Sequence, residues 1–142
     1  MITRTWLKRT GKAVSMDLRH DVHEELVRLR LRTPEIVGVL ACTVDGMLVT
    51  TDLPEGTEQT AALTSALLSM SRRMAGLARI GALEETLISA THGHAACYAA
   101  GPKLVLTVLA GHGANLGLLR IEGRKTAATL AAIVERGTEK ST

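Results

Sequence analysis

Between Glu58 and Gly81 the sequence describes a helix that leaves no face for water. Apolar residues fall at Leu63, Leu67, Met70, Met74 and Leu77, and the alternating steps of four and three stack them into one stripe. That stripe is expected to lie on the protein's own sheet. The other side carries Ala61, Ser65, Leu68, Arg72, Gly76 and Arg79, small and apolar groups punctuated by arginine where a surface helix would carry glutamate and lysine. A helix that is apolar or small nearly all round is covered on two sides. The second side is therefore expected to meet another protein chain.

Two further stretches say what the helix lies on. Ile36–Thr43 (IVGVLACT) and Lys103–Ala110 (KLVLTVLA) are apolar on both alternating faces, which a strand sustains only where both faces of its sheet are covered. Around them the chain supplies Met47–Thr51 after an Asp45-Gly46 hairpin signal, Glu85–Thr91, and His94–Ala100 behind a His92-Gly93 turn. Gly81 reads as the C-cap of the middle helix. A first helix is expected from Ser15, its N-cap, to about Arg32, with Leu18, Val22, Leu26 and Leu29 inward, a Glu24–Arg28 pair outward, and Thr33-Pro34 as its stop. A last helix opens at Asn115 and runs to about Arg136 on Leu116, Leu119, Gly123, Ala127, Leu130 and Val134; Gly123 and Ala127 would let it approach the first helix closely. The order is α-β-β-α-β-β-β-α, an α+β domain with a five-stranded antiparallel sheet. The middle helix covers one face and the first and last helices the other. Glu85–Thr91 is a candidate edge whose bare backbone groups need a partner.

The bulk properties fit one such domain. A chain of 142 residues, 46% hydrophobic and 22% charged, holds one full core. The domain is expected over 15–136, between a basic leader over 1–14 and a polar tail over 137–142. No cationic start is followed by a long apolar run and no apolar stretch approaches span length, so the protein is expected to be soluble and cytoplasmic, without membrane insertion. Trp6 and Tyr98 are the only aromatic residues, which removes the stacking platform for single-stranded nucleic acid. No nucleic-acid partner is expected.

Catalytic patterns are absent. Neither Gly11-Lys12-Ala13 nor Gly123-Arg124-Lys125-Thr126 completes a phosphate loop, and no Gly-x-Ser-x-Gly is present. Cys42 and Cys97 sit within apolar runs where burial disfavours the thiolate. His92, His94 and His112 lack a nearby Cys, Asp or Glu to finish a metal set and read as turn histidines. No catalytic residue, cofactor or metal is assigned, and the protein reads as a non-enzyme.

Ile36-Val37-Gly38-Val39-Leu40 before Asp45-Gly46, the Leu63–Leu77 helix, Leu104–Ala110, and Ala114-Asn115-Leu116-Gly117-Leu118-Leu119-Arg120, taken in this order, resemble the Roadblock superfamily. These are dynein light-chain-like domains with a profilin-like fold, and in bacteria they include MglB-type regulators of Ras-like GTPases. The resemblance covers roughly Val14 to Arg136. It implies a homodimer in which two middle helices pack antiparallel and two edge strands join into one sheet. It also implies a binding platform for a small GTPase, whose hydrolysis some bacterial members accelerate. On that reading Ala61, Ser65, Leu68, Arg72, Gly76, Arg79, Thr86 and Ile88 form the dimer and partner interface, with Arg72 and Arg73 as GTPase docking contacts. The alternative is a small-molecule sensor of the PAS or GAF kind, which shares a central antiparallel sheet; the absence of Phe leaves it without the usual aromatic pocket lining.

Overall fold

A computed structural model describes residues 15–141, with side chains through Gly137; the leader over 1–14 and Thr142 lie outside the described residues. Helix α1 spans Met16–Arg32, followed by strands β1 (Ile36–Thr43) and β2 (Leu48–Thr51), helix α2 (Thr57–Ala78), strands β3 (Thr86–Ala90), β4 (Gly93–Ala100) and β5 (Leu104–Gly111), and helix α3 (Leu116–Ser141). The strands form one antiparallel sheet in the order β2-β1-β5-β4-β3. The expected element order and strand count hold. The last helix runs through the stretch read as a polar tail, because nothing after Arg136 breaks it before Ser141.

Strand alternation divides the core in two. Val39, Ala41, Ala96, Tyr98, Leu104, Leu106 and Val108 point to one face, where Leu18, Val22, Leu26 and Leu29 of α1 and Leu119, Ala127, Leu130 and Val134 of α3 close over them. Leu40, Cys42 and Val105 point to the other, against Ala61 and Leu68 of α2. The two central strands are covered on both faces, as their unbroken apolar runs require.

Local chemistry sets the helix ends. Ser15 accepts the Leu18 N–H at 3.1 Å and Asn115 Oδ1 accepts that of Leu118 at 3.1 Å, each satisfying a donor that the first turn leaves open. Arg28 bonds Glu25 at 3.1 Å rather than Glu24, which His20 engages at 3.0 Å; both choices are neighbours along the helix. The hairpin between β1 and β2 is longer than two residues. Thr43 N–H bonds Met47 O at 2.8 Å and Gly46 N–H bonds Thr43 O at 3.0 Å, with Gly46 at φ +92°.

Gly123 serves a different neighbour from the one expected. A Cβ at this position would lie 2.6 Å from the Tyr98 ring, so the missing side chain here lets α3 settle on β4, while other positions of α3 pack against α1. Tyr98 is buried, and burial with the Glu85 carboxylate nearby pushes its phenol up to about 12.

Candidate interaction surface

Helix α2 crosses all five strands. Its buried residues are Ala61, Thr64, Leu68 and Ala75, and Thr64 receives a hydrogen bond from Thr107 at 3.0 Å. Four of the five residues expected on the sheet instead face outward, Leu63 at 69% exposed, Met70 62%, Met74 72% and Leu77 82%, while Leu67 is half-buried. Ile80, 77% exposed just past the helix, extends this outward row. Of the side expected to face a partner, Ala61 and Leu68 turn to the sheet in its place.

The exchange has a geometric cause. Thr64, Leu68 and Ala75 each follow a member of the other stripe by one residue, a rotation of about 100° on a helix, so periodicity alone fits both choices. Side-chain size decides between them. Leu40 and Val105 already fill the sheet surface, and Ala61, Thr64 and Ala75 let the helix backbone come close to it; the long Leu and Met side chains would hold it off.

The predicted interface residues therefore separate. Ala61 and Leu68 are 0% and 2% exposed in the chain's own core, which removes them from any partner contact. Ser65 is half-buried and its hydroxyl donates to the Val44 carbonyl. Arg72, Arg73, Gly76 and Arg79 are exposed. Thr86 is half-buried and Ile88 exposed on β3, whose pairing with β4 leaves its other edge open. Thr86 and Ile88 stand opposite Cys97 and Ala95, on the face that α2 covers. Leu63, Met70, Met74, Leu77 and Ile80 are the surface residues that sequence reasoning missed, and a comparison of side-chain size between the two stripes was the signal that could have found them.

Arg79 closes α2 as its C-cap, with its N–H reaching the carbonyls of Ala75 and Gly76 and its own backbone in the left-handed region at φ 56°. Gly81, the expected cap, lies two residues beyond. The two thiols are sealed under α2. Cys42 Sγ lies 3.7 Å from the Ala61 carbonyl, and burial raises this thiol to about 12; burial raises Cys97 as well. Burial thus favours the neutral thiol at both positions. Among the described residues no group of three or more His, Cys, Asp or Glu is placed to hold a metal ion, and no helix is long and apolar enough to cross a membrane. What this surface offers chemically is apolar area, cationic side chains and a free strand edge.

Known proteins bear on this geometry at three levels. The profile of the Roadblock/LC7 domain matches residues 22–110. The uncharacterized protein MJ1340 of Methanocaldococcus jannaschii is 32% identical over 104 residues, covering 72% of this chain and 90% of the relative. Among solved structures, MglB in a tetrameric arrangement superimposes with a TM-score of 0.79 at 18% identity, over 87% of this chain and 95% of the other. The gliding protein MglB of Thermus thermophilus gives 0.77 at 17% identity, also over 87% and 95%. At such identities these two likenesses speak for the fold. With the profile spanning more than half its length, the chain belongs to the Roadblock/LC7 family.

Proposed function

We propose that this protein is a homodimeric, non-enzymatic platform for a Ras-like small GTPase, with the outward side of α2 and the open edge of β3 forming the contact between the two copies. The observation that carries the reading is the exposed stripe of Leu63, Met70, Met74 and Leu77 on a helix whose reverse side is already buried. Covering one such side chain is worth about 1.5–3 kcal/mol, and an uncovered row of them is an association surface. Length supports the same reading. A helix of 22 residues runs roughly 33 Å at 1.5 Å per residue, whereas five strands spaced about 4.8 Å apart span roughly 19 Å. Packed across the strands, α2 overhangs its own sheet, and a second sheet joined at β3 would lie beneath the overhang. An antiparallel pairing centred on Met70 would set Leu63 against Leu77 of the second copy.

The partner class comes from the family resemblance. Bacterial regulators of this kind act on Ras-like GTPases, and on this reading the exposed Arg72 and Arg73 serve as the docking contacts. Modulation of the GTPase's hydrolysis belongs to the same proposal.

Sedimentation equilibrium tests the first half: the wild type sediments as a dimer at micromolar concentration. Met70→Glu weakens the dimer at least 100-fold with its circular dichroism unchanged, because a carboxylate would be desolvated between two helices. A wild-type monomer at high micromolar concentration overturns the reading. Pull-down of the GTPase encoded beside this chain, loaded with GDP or GTP, tests the second half; retention in neither state overturns it.

A further inference from the structure

Helix α2 has a third flank, neither buried nor apolar. Between it and the end of β1 lies a cleft of about 400 Å³ lined by Val44, Ser65, Leu68, Ser69, Arg72 and Arg73. None of the lining residues is acidic. From Gln59 to Leu83 the only charged residues are Arg72, Arg73 and Arg79.

On the opposite face of the sheet five of the seven arginines of α1 and α3 are ion-paired, Arg19 and Arg136 being the exceptions among the described residues. There Arg28 meets Glu25 at 3.1 Å, Arg32 meets Glu122 at 3.0 Å and Arg124 meets Glu84 at 2.8 Å, while Arg30 pairs with Asp52 and Arg120 with Glu85. Arg72 and Arg73 have no ion pair among the described residues. In the nearby hairpin Asp45 is held by the Thr43 hydroxyl at 2.6 Å. The Val44 carbonyl, an acceptor in the cleft wall, is taken by Ser65. The cleft thus presents guanidinium donors with no carboxylate to receive them.

We propose that this cleft seats the carboxylates of an acidic segment on a protein partner. The inference rests on the platform reading above and names the chemistry by which that platform grips. Carboxylates fit better than a phosphate group for two reasons. Phosphate sites are commonly built from open backbone N–H groups at a helix N-terminus, whereas this cleft lies along the middle of α2 and the helix's first turn carries Glu58. Arg72 and Arg73 are successive residues and leave the helix about 100° apart, so they reach two separate anions more readily than they converge on one. Each guanidinium can hold a carboxylate through two parallel N–H···O bonds.

The test is an amide NMR titration of the full chain with an octaglutamate peptide, beside octaglutamine and sodium phosphate. Octaglutamate shifts the amides of Ser65, Ser69, Arg72 and Arg73 and octaglutamine does not. Affinity falls at least 10-fold in Arg72→Gln/Arg73→Gln, and less than 2-fold in Lys8→Gln/Arg9→Gln, which removes the same charge from the amino-terminal segment. Shifts confined to other residues, equal losses in both double variants, or phosphate moving the same amides at equal or lower concentration would each overturn the proposal. Sedimentation of the same samples separates the two readings. A dimer that ignores octaglutamate sinks the cleft and leaves the platform; a monomer that binds it there sinks the dimeric platform and leaves the cleft.

Discussion

Arg79 holds a left-handed backbone at φ 56°, the only non-glycine among the described residues with positive φ. Its N–H and that of Ile80 close the end of α2, at 3.2 Å to Gly76 O and 3.2 Å to Ala75 O, in the two-bond pattern usually completed by glycine. A side chain in this conformation costs on the order of 1 kcal/mol. Arg79→Gly is expected to raise stability by roughly that amount in a urea titration, with the slope unchanged. The buried acids make a second prediction at this scale. Cys42 and Tyr98 are both raised to about 12, from ordinary values of 9.0 and 10.0. Their neutral forms are therefore favoured in the folded state, and the stability they confer is complete below the unfolded values. Between about pH 9 and 12 the unfolded chain releases protons that the folded chain retains, so stability falls with rising pH across that window. Urea midpoints measured from pH 8 to 11 check this, with the decline attenuated in Cys42→Ala relative to its own value at pH 8. Arg79 was visible in the sequence only as part of an arginine pattern, because its backbone angle depends on where the helix stops.

At the scale of elements, α2 is the instructive case. The helix, its approximate ends and its two-sided character were legible from residue spacing. The assignment of each side was not, since adjacent stripes one residue apart have the same period. Leu68 and Met70 separate the two roles. Leu68→Ala is expected to cost about 2–5 kcal/mol of folding stability, since Leu68 is fully enclosed with Leu40, Cys42 and Val105. Met70→Ala is expected to change folding stability by less than about 0.5 kcal/mol under conditions where the chain is monomeric, as for an exposed position. Chemical denaturation of both variants at low protein concentration checks the contrast; equal losses would mean that Met70 belongs to the core. The two sheet edges differ in the same telling way. Strand β2 has four residues and β3 has five. Asp52, just beyond β2, is engaged by Arg30 and accepts the Val39 N–H at 2.9 Å. Strand β3 (TLISA) carries no charge and no proline, the usual guards against pairing with another chain.

For the whole molecule, five of the seven arginines of α1 and α3 are ion-paired, whereas Arg72, Arg73 and Arg79 on the α2 side have no ion pair among the described residues and lie beside exposed apolar area. That asymmetry suits the platform proposed above: one face closes the fold and the other stays uncovered in the single chain. If two copies share the α2 face, folding is linked to association, so the thermal midpoint must rise with protein concentration. Scanning calorimetry over a 100-fold concentration range checks it; a constant midpoint would mean that the copies do not stabilise one another. The sequence by itself determined the order of elements, the doubly covered central strands, the free edge at β3 and the family, because each of these is written in local spacing and in turn chemistry. Only the tertiary structure decided which side of α2 faces the sheet, that Gly123 makes room for Tyr98, and that Arg72 and Arg73 border a cleft without an acid. Those outcomes depend on side-chain volume meeting a surface assembled from distant strands, and spacing along one segment carries no record of that surface.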